Sequence, residues 1–351
     1  MPFDAPLSEQ ARLRTTRPVA YWLFGVCAML LVMIVLGGVT RLTGSGLSIM
    51  EWAPLSGALP PLSEAEWQRL FALYQKIPQY TLVNDGFGIA GFKKIFWLEW
   101  FHRLWGRLIG LAFIVPLLWF AWQRAIPRVL LPRLGLLFVL GGLQGAVGWF
   151  MVASGFFADA TAVSPYRLVV HLGLALALYA AILWTGLFLL RPIPGQAAPA
   201  APRFLAVLAA TLAALTIIAG GFVAGTHAGL TYNTFPLMDG RLVPDGYAML
   251  SPAWRNLTEN IPAVQFDHRL LATLTASVAL AAAWAGRGTA AKLPLLVLVL
   301  AVLLQYALGV ATLINVVAVP LAAAHQGAAV LVLTAAIVAL HALRRPSLDS
   351  R

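Results

Sequence analysis

FWLEWFHRLWGR, residues 96–107, opens directly onto the apolar run LIGLAFIVPLLWFAW, residues 108–122. A glutamate, a histidine and two arginines at the mouth of a bilayer-length segment are costly unless they are used, because ionisable groups within spans face a bundle interior and pair there. The rest of the chain has the same character. Sixty per cent of its 351 residues are hydrophobic and 11% are charged, and the mean hydropathy is +0.83. A soluble domain carries about 25% charged residues, so this is a multi-pass membrane protein. Runs of about 20 apolar residues, enough to span, lie near 19–39, 97–122, 134–153, 168–190, 204–224, 268–285, 293–314 and 321–343. They predict an all-α integral membrane fold of eight spans. The first run follows Arg12, Arg14 and Arg17 and has full span length without a small-residue cleavage site, so it reads as a retained helix.

Charge sets the expected orientation. With the N-terminus inside, the inner segments hold 13 Arg and Lys against Asp4, Glu9 and Asp349, which leaves 11 basic and 10 acidic residues elsewhere. That asymmetry satisfies the positive-inside rule with both termini cytoplasmic. It also accounts for the pI of about 10.4 and leaves no basic stripe for nucleic acid. Cys27 is the only cysteine and reads as a buried apolar residue. Two long outer loops, 41–94 and 227–264, keep apolar anchors such as Trp52, Trp67, Phe71, Phe235 and Trp254, and read as caps over the outer face. SEAEWQRLFALYQKI predicts a short helix with Ser63 as N-cap.

The chain repeats itself. GGVTRLTGSGLS at 37–48 lines up with GGFVAGTHAGLT at 220–231, HRL at 102–104 recurs at 268–270, LQGAVG at 143–148 as LQYALG at 304–309, and HLG at 171–173 as HQG at 325–327. Four matches in one order predict two four-helix halves, 1–190 and 204–351, joined by the Pro/Ala-rich linker 191–203. An even number of spans per copy puts the pseudo-twofold axis along the membrane normal. His102, His171, His268 and His325 then fall within the first turn or two of the spans that start outside, at one depth. Imidazoles paired across a bundle suit an iron porphyrin, with Arg103 and Arg269 beside them for its propionates. Zinc is disfavoured because no cysteine or carboxylate cluster completes a tetrahedron. His227, aligned with Gly44, has no symmetry partner, and His341 reads as an interfacial residue. Glu99 shares a helix face with His102, whereas the equivalent residue before His268 is Gln265. That points to chemistry in the first half and a permanent cofactor in the second. Asp267 orients the second-site ligand or pairs with Arg269, and Gln144 and Gln305 are interhelical hydrogen-bond formers.

RLTGSGLSIMEW (41–52), GFKKIFWLEWFHRLWGR (91–107) and AGLTYNTFPLMDG (228–240), with the four histidines, resemble the proteobacterial and mitochondrial branch of the haem A synthase family over nearly the whole chain. The resemblance implies oxidation of the ring D methyl of haem O to a formyl group, giving haem A for terminal oxidases. It implies haem b as cofactor on His268 and His325, substrate haem on His102 and His171, and Glu99 as the catalytic carboxylate. It also implies a bacterial inner-membrane location and haem O delivery from a farnesylating haem O synthase. The electron acceptor is not named by it. The cysteine pair that another bacterial branch carries in its first outer loop is absent. If both substrate-side histidines bind iron, no position is left for oxygen activation, and water becomes the oxygen source. The competing readings are a di-haem b quinol-linked electron-transfer cytochrome, which needs neither the Glu99/Gln265 asymmetry nor the large outer caps, and a haem carrier that hands on haem without changing its mass.

Overall fold

Prolines mark the starts of three of the long helices. Pro165, Pro262 and Pro320 each occupy the first turn, where a missing N–H costs nothing. The computed structural model describes residues 9–157, 160–191 and 199–344, with side chains from residue 16 onward. Both chain ends (1–8, 345–351) and positions 192–198 of the expected linker lie outside the described residues.

The elements are α1 (Glu9–Leu42), α2 (Glu64–Tyr74), α3 (Pro78–Val83), α4 (Ile89–Trp122), α5 (Leu131–Ala153), α6 (Pro165–Leu190), α7 (Ala200–Gly225), α8 (Ile261–Ala285), α9 (Lys292–Ile314) and α10 (Val319–Ala342), with short 3-10 turns between them. No strand forms among the described residues. Seven helices there are long and apolar enough to cross a membrane. The remaining long one, α8, has 25 residues and carries Asp267, His268 and Arg269; these polar groups keep it out of that set although it packs between α7 and α9.

Contacts close two rings of four. Helices α1, α4, α5 and α6 each touch the next around one ring, and α7, α8, α9 and α10 around the other. The rings meet along α1–α10, α6–α7 and α6–α10, a pattern that maps onto itself when the halves are exchanged. Close approach at the seam needs glycine: a Cβ on Gly38 of α1 would overlap the amide of Gln326, whose Nε2 donates to the Ile34 carbonyl at 2.7 Å.

Helix α4 differs from the expected span. It begins at Ile89 rather than near Trp97, so His102 lies in its fourth turn and not its first or second. The extra turns stay helical because the first cap covers them. Trp67, Leu70 and Tyr74 form the buried face of α2, and Trp67 meets Phe96 edge-on at 4.8 Å while Tyr74 packs on Phe92 at 5.4 Å. Lys93, which reads as a loop residue, sits on that helix and pairs with Glu64 at 3.0 Å. Ser63 caps α2 as expected, accepting from the Glu66 N–H at 3.2 Å, while the Glu66 side chain turns to Arg69.

Candidate functional site

Each of the four histidines is seated against a glycine of the neighbouring helix. A Cβ built on Gly37 would stand 2.9 Å from Cε1 of His102; the same distance is 2.8 Å for Gly148 and His171, 3.0 Å for Gly220 and His268, and 2.9 Å for Gly309 and His325. Each glycine stands five residues before the end of its helix: Gly37 before Leu42, Gly148 before Ala153, Gly220 before Gly225, and Gly309 before Ile314. The four rings therefore share one depth below these helix ends, His102 included.

In the second half the rings of His268 and His325 face each other with centroids 6.4 Å apart and planes at 89°. Two imidazole nitrogens, each about 2 Å from one metal, put ring centroids roughly 6 Å apart, so this pair fits a bis-imidazole iron. His268 Nδ1 lies 3.0 Å from the Thr216 carbonyl. A carbonyl only accepts, so Nδ1 carries the proton and Nε2 keeps its lone pair for a metal. In the first half His102 stands against Gly37 and His171 against Gly148. There Nδ1 of His102, the counterpart of the anchored His268 nitrogen, is buried without a partner. The donor set in the second half thus fits haem, with one of its imidazoles held in the tautomer that leaves Nε2 free for a metal.

Above each pair an arginine clamps the outer loop. Arg103 donates to the carbonyls of Ile49 (2.8 Å) and Glu51 (2.9 Å), and Arg269 to those of Tyr232 (2.7 Å) and Thr234 (3.0 Å). These acceptors are repeat equivalents at the constant offset that aligns Gly37 with Gly220. Of five guanidinium hydrogens, Arg103 uses four in such bonds and Arg269 three, and Nε of Arg269 is buried with no partner.

Glu99, only 2% exposed, lies beneath the first clamp. Its Oε1 accepts from Arg103 at 2.6 and 3.1 Å, and its Oε2 from the Ser48 hydroxyl at 2.7 Å and the Ile49 N–H at 2.8 Å. Gln265 reproduces half of this. Its Oε1 accepts from Arg269 at 2.7 Å, but its Nε2 donates to the carbonyls of Ala228 (2.7 Å) and Thr231 (2.6 Å). One clamp has a buried ion pair where the other has a neutral amide.

The sequence matches the cytochrome oxidase assembly protein family, COX15-CtaA, over residues 20–337. It is 66% identical over 332 residues to a haem A synthase of Granulibacter bethesdensis, covering 93% of this chain and 87% of that one. A haem A synthase of Nitrosospira multiformis is 47% identical over 348 residues, covering 97% of each chain, and one of Azorhizobium caulinodans is 51% identical over 330 residues, covering 93% and 94%. The chain belongs to the haem A synthase family.

Within this haem A synthase family member, the remaining polar residues take less central places. Asp267 reaches neither His268 nor Arg269; its Oδ1 accepts from the Tyr247 hydroxyl at 2.8 Å, which ties the second cap to α8 and raises the Tyr247 pKa above the usual phenol value. His227 is in the left-handed region at φ 57°, as is Gly44 at φ +66° at the aligned position. The two loops make the same turn, and His227 occupies it at some backbone cost. Gln144 donates to the His171 carbonyl at 2.8 Å and Gln305 approaches Nε2 of His325 at 3.5 Å, both between helices as expected. Arg107, which has Thr273 as its repeat equivalent, holds the carbonyls of Ala53 (2.7 Å) and Pro54 (2.9 Å), a second clamp present in the first half alone.

The histidine-facing glycines and the arginine–carbonyl clamps were not singled out from the sequence. Gly37, Gly148, Gly220 and Gly309 all lie inside the repeated motifs, and that recurrence was the available signal.

Proposed function

We propose that the protein is a haem A synthase of the bacterial inner membrane, oxidising the ring D methyl of haem O to the formyl group of haem A for terminal oxidases. In this reading all eight long helices span, α8 included, and both termini are cytoplasmic. Residues 1–190 hold substrate, 191–203 link, and 204–351 hold the cofactor. The observation that carries it is a break in symmetry at the residue beneath each arginine. Identical frames of histidine, glycine and arginine differ by an acid at Glu99 and an amide at Gln265.

His268 and His325 would hold haem b, which when bound supplies a one-electron carrier. Arg269, with its unpartnered Nε, is placed to meet a propionate there. His102 and His171 hold the haem O iron, and Arg103 keeps one N–H for a propionate. Haem O arrives within the bilayer from the farnesylating haem O synthase.

The substrate chemistry balances with water as oxygen source. The methyl carbon loses two electrons and one proton and bonds the hydroxyl of a water, which gives up its own second proton, to form the alcohol. A second loss of two electrons and two protons, with a second water, gives the gem-diol, which releases one water to leave the aldehyde. Electrons leave for an acceptor outside this chain. Glu99 accepts protons released beside the ring and offsets positive charge developing on it. Arg103, a permanent cation across its Oε1, favours the return of Glu99 to the carboxylate once each proton is passed on.

Expression in cells that make haem O, followed by mass analysis of extracted haems, tests this directly. Haem A is expected with the native chain. Isotopic oxygen from labelled water is expected in the formyl group; label arriving from dioxygen alone rejects the water route, and absence of haem A rejects the assignment.

A further inference from the structure

Most glycines within these helices are not there for their ligands. On α5, a Cβ at Gly135, Gly141, Gly142 or Gly145 would meet nothing within 4 Å, yet at Gly148 on the same helix it would meet His171 at 2.8 Å. On α7, Gly220 meets His268 while its neighbour Gly221 meets only Val169 and Leu172 across the seam. The histidine contact is therefore specific to one glycine in each of four helices. In every case the ring edge between the two nitrogens enters the notch: Cε1 is nearest, at 2.8–3.0 Å, with Nδ1 at 3.3–3.6 Å and Nε2 at 3.5–3.8 Å.

We propose that Gly37, Gly148, Gly220 and Gly309 are positioning residues, which fix the rotation and depth of His102, His171, His268 and His325 and so set the iron ligation in each half. The inference rests on the reading that these histidines ligate haem iron. Carbon atoms in contact prefer about 3.5–4.0 Å, so a methyl in the notch displaces each ring by roughly 0.5–1 Å. Functional groups tolerate about 0.5 Å, and metal–ligand distances about 0.2 Å. The displacement exceeds both. Helix packing alone does not ask for it, because the collision is with a side-chain tip and not with a neighbouring backbone. The notch acts in addition to the carbonyl of Thr216, which fixes the tautomer of His268 and leaves its tilt free.

The test uses the full chain purified with its haem and reads optical and electron paramagnetic resonance spectra and midpoint potential rather than turnover. Gly220→Ala and Gly309→Ala are expected to lower the low-spin bis-imidazole signal of the second half by roughly tenfold, the lower end for losing an orienting neighbour, and free imidazole added to either variant restores it. With haem O loaded, Gly37→Ala and Gly148→Ala do the same to the first half only. The untouched half reports that the chain is folded, and Gly142→Ala and Gly145→Ala, which face open space, leave every signal unchanged. His268→Ala separates the two failures. If it leaves the second-half signal intact, the ligation reading falls; if it removes the signal while Gly220→Ala and Gly309→Ala leave it native, only the positioning role falls. Loss of both halves' signals in all four glycine variants also overturns it, in favour of a general packing role.

Discussion

Glu99→Gln removes one charge and almost no volume, and Gln265 already shows an amide seated under the equivalent arginine. Its cost follows from the individual bonds. At Oε1 the amide oxygen still accepts from Arg103, whose charge keeps these bonds charge-assisted, but losing the opposite charge costs about 1 kcal/mol. At the other position an NH2 replaces Oε2, which accepted from Ser48 and Ile49 at 2.7 and 2.8 Å. The Ser48 hydroxyl turns and accepts. The Ile49 N–H cannot turn, and a donor left facing a donor costs about 1–3 kcal/mol. Arg103 keeps its two carbonyls, so the expected sum is about 2–4 kcal/mol, a looser first cap on a folded chain. The assay pairs a denaturant titration with mass analysis of haems. Ser48→Ala is the control: it drops one of the bonds to Oε2, costs about 1 kcal/mol and keeps the carboxylate. The account expects haem A from Ser48→Ala and none from Glu99→Gln. Haem A from Glu99→Gln in native yield refutes a chemical role, and its loss from both variants in proportion to their destabilisation shows that Glu99 serves only to hold the loop.

Gly38→Ala is expected to cost about 1–3 kcal/mol, the usual overpacking range, and Gln326→Ala added to it to restore part of the loss; a double-mutant cycle on melting temperature without coupling contradicts the seam described above. Tyr247→Phe strips Asp267 of its donor and is expected to raise proteolysis of the second cap while leaving the first untouched. Arg69 holds the carboxylates of Glu51 and Glu66 below the usual range through hydrogen bonds. Stability from a lowered carboxylate pKa is present above the unfolded value and lost as pH falls through the folded one. Glu51→Gln is therefore expected to cost at most about 1 kcal/mol at pH 7, since the pair is half exposed, and nothing once pH falls well below the ordinary carboxylate range; a cost unchanged at low pH contradicts the pairing.

The sequence carries the spans, the repeat and the histidines because each is a local pattern: apolar runs of fixed length, four motifs in one order, one residue type per motif. The cap helix at Ser63 was legible for the same reason, through its N-cap. What escaped depends on partners far along the chain. The extension of α4 to Ile89 reads as a loop, since Lys93 and Lys94 end the apolar run and Gly91 weakens a helix, whereas in the structure α2 packs over these turns. Arg103 reads only as a propionate partner because a backbone carbonyl leaves no trace in a sequence; in the structure two of its N–H groups hold Ile49 and Glu51 and two hold Glu99. The helix α8 sits at the edge of what composition identifies as a span because its outer turns carry the polar groups of the site. Gly148 and Gly309 were visible as repeated letters, but their reason, a ring on the next helix, needed coordinates.

Locating iron by its anomalous scattering in the haem-loaded protein tests the central claim most directly. Two positions are expected, one between the rings of His268 and His325 and one between those of His102 and His171, at a common depth below the outer helix ends. Iron found away from either pair, or at opposite sides of the bilayer, would contradict it.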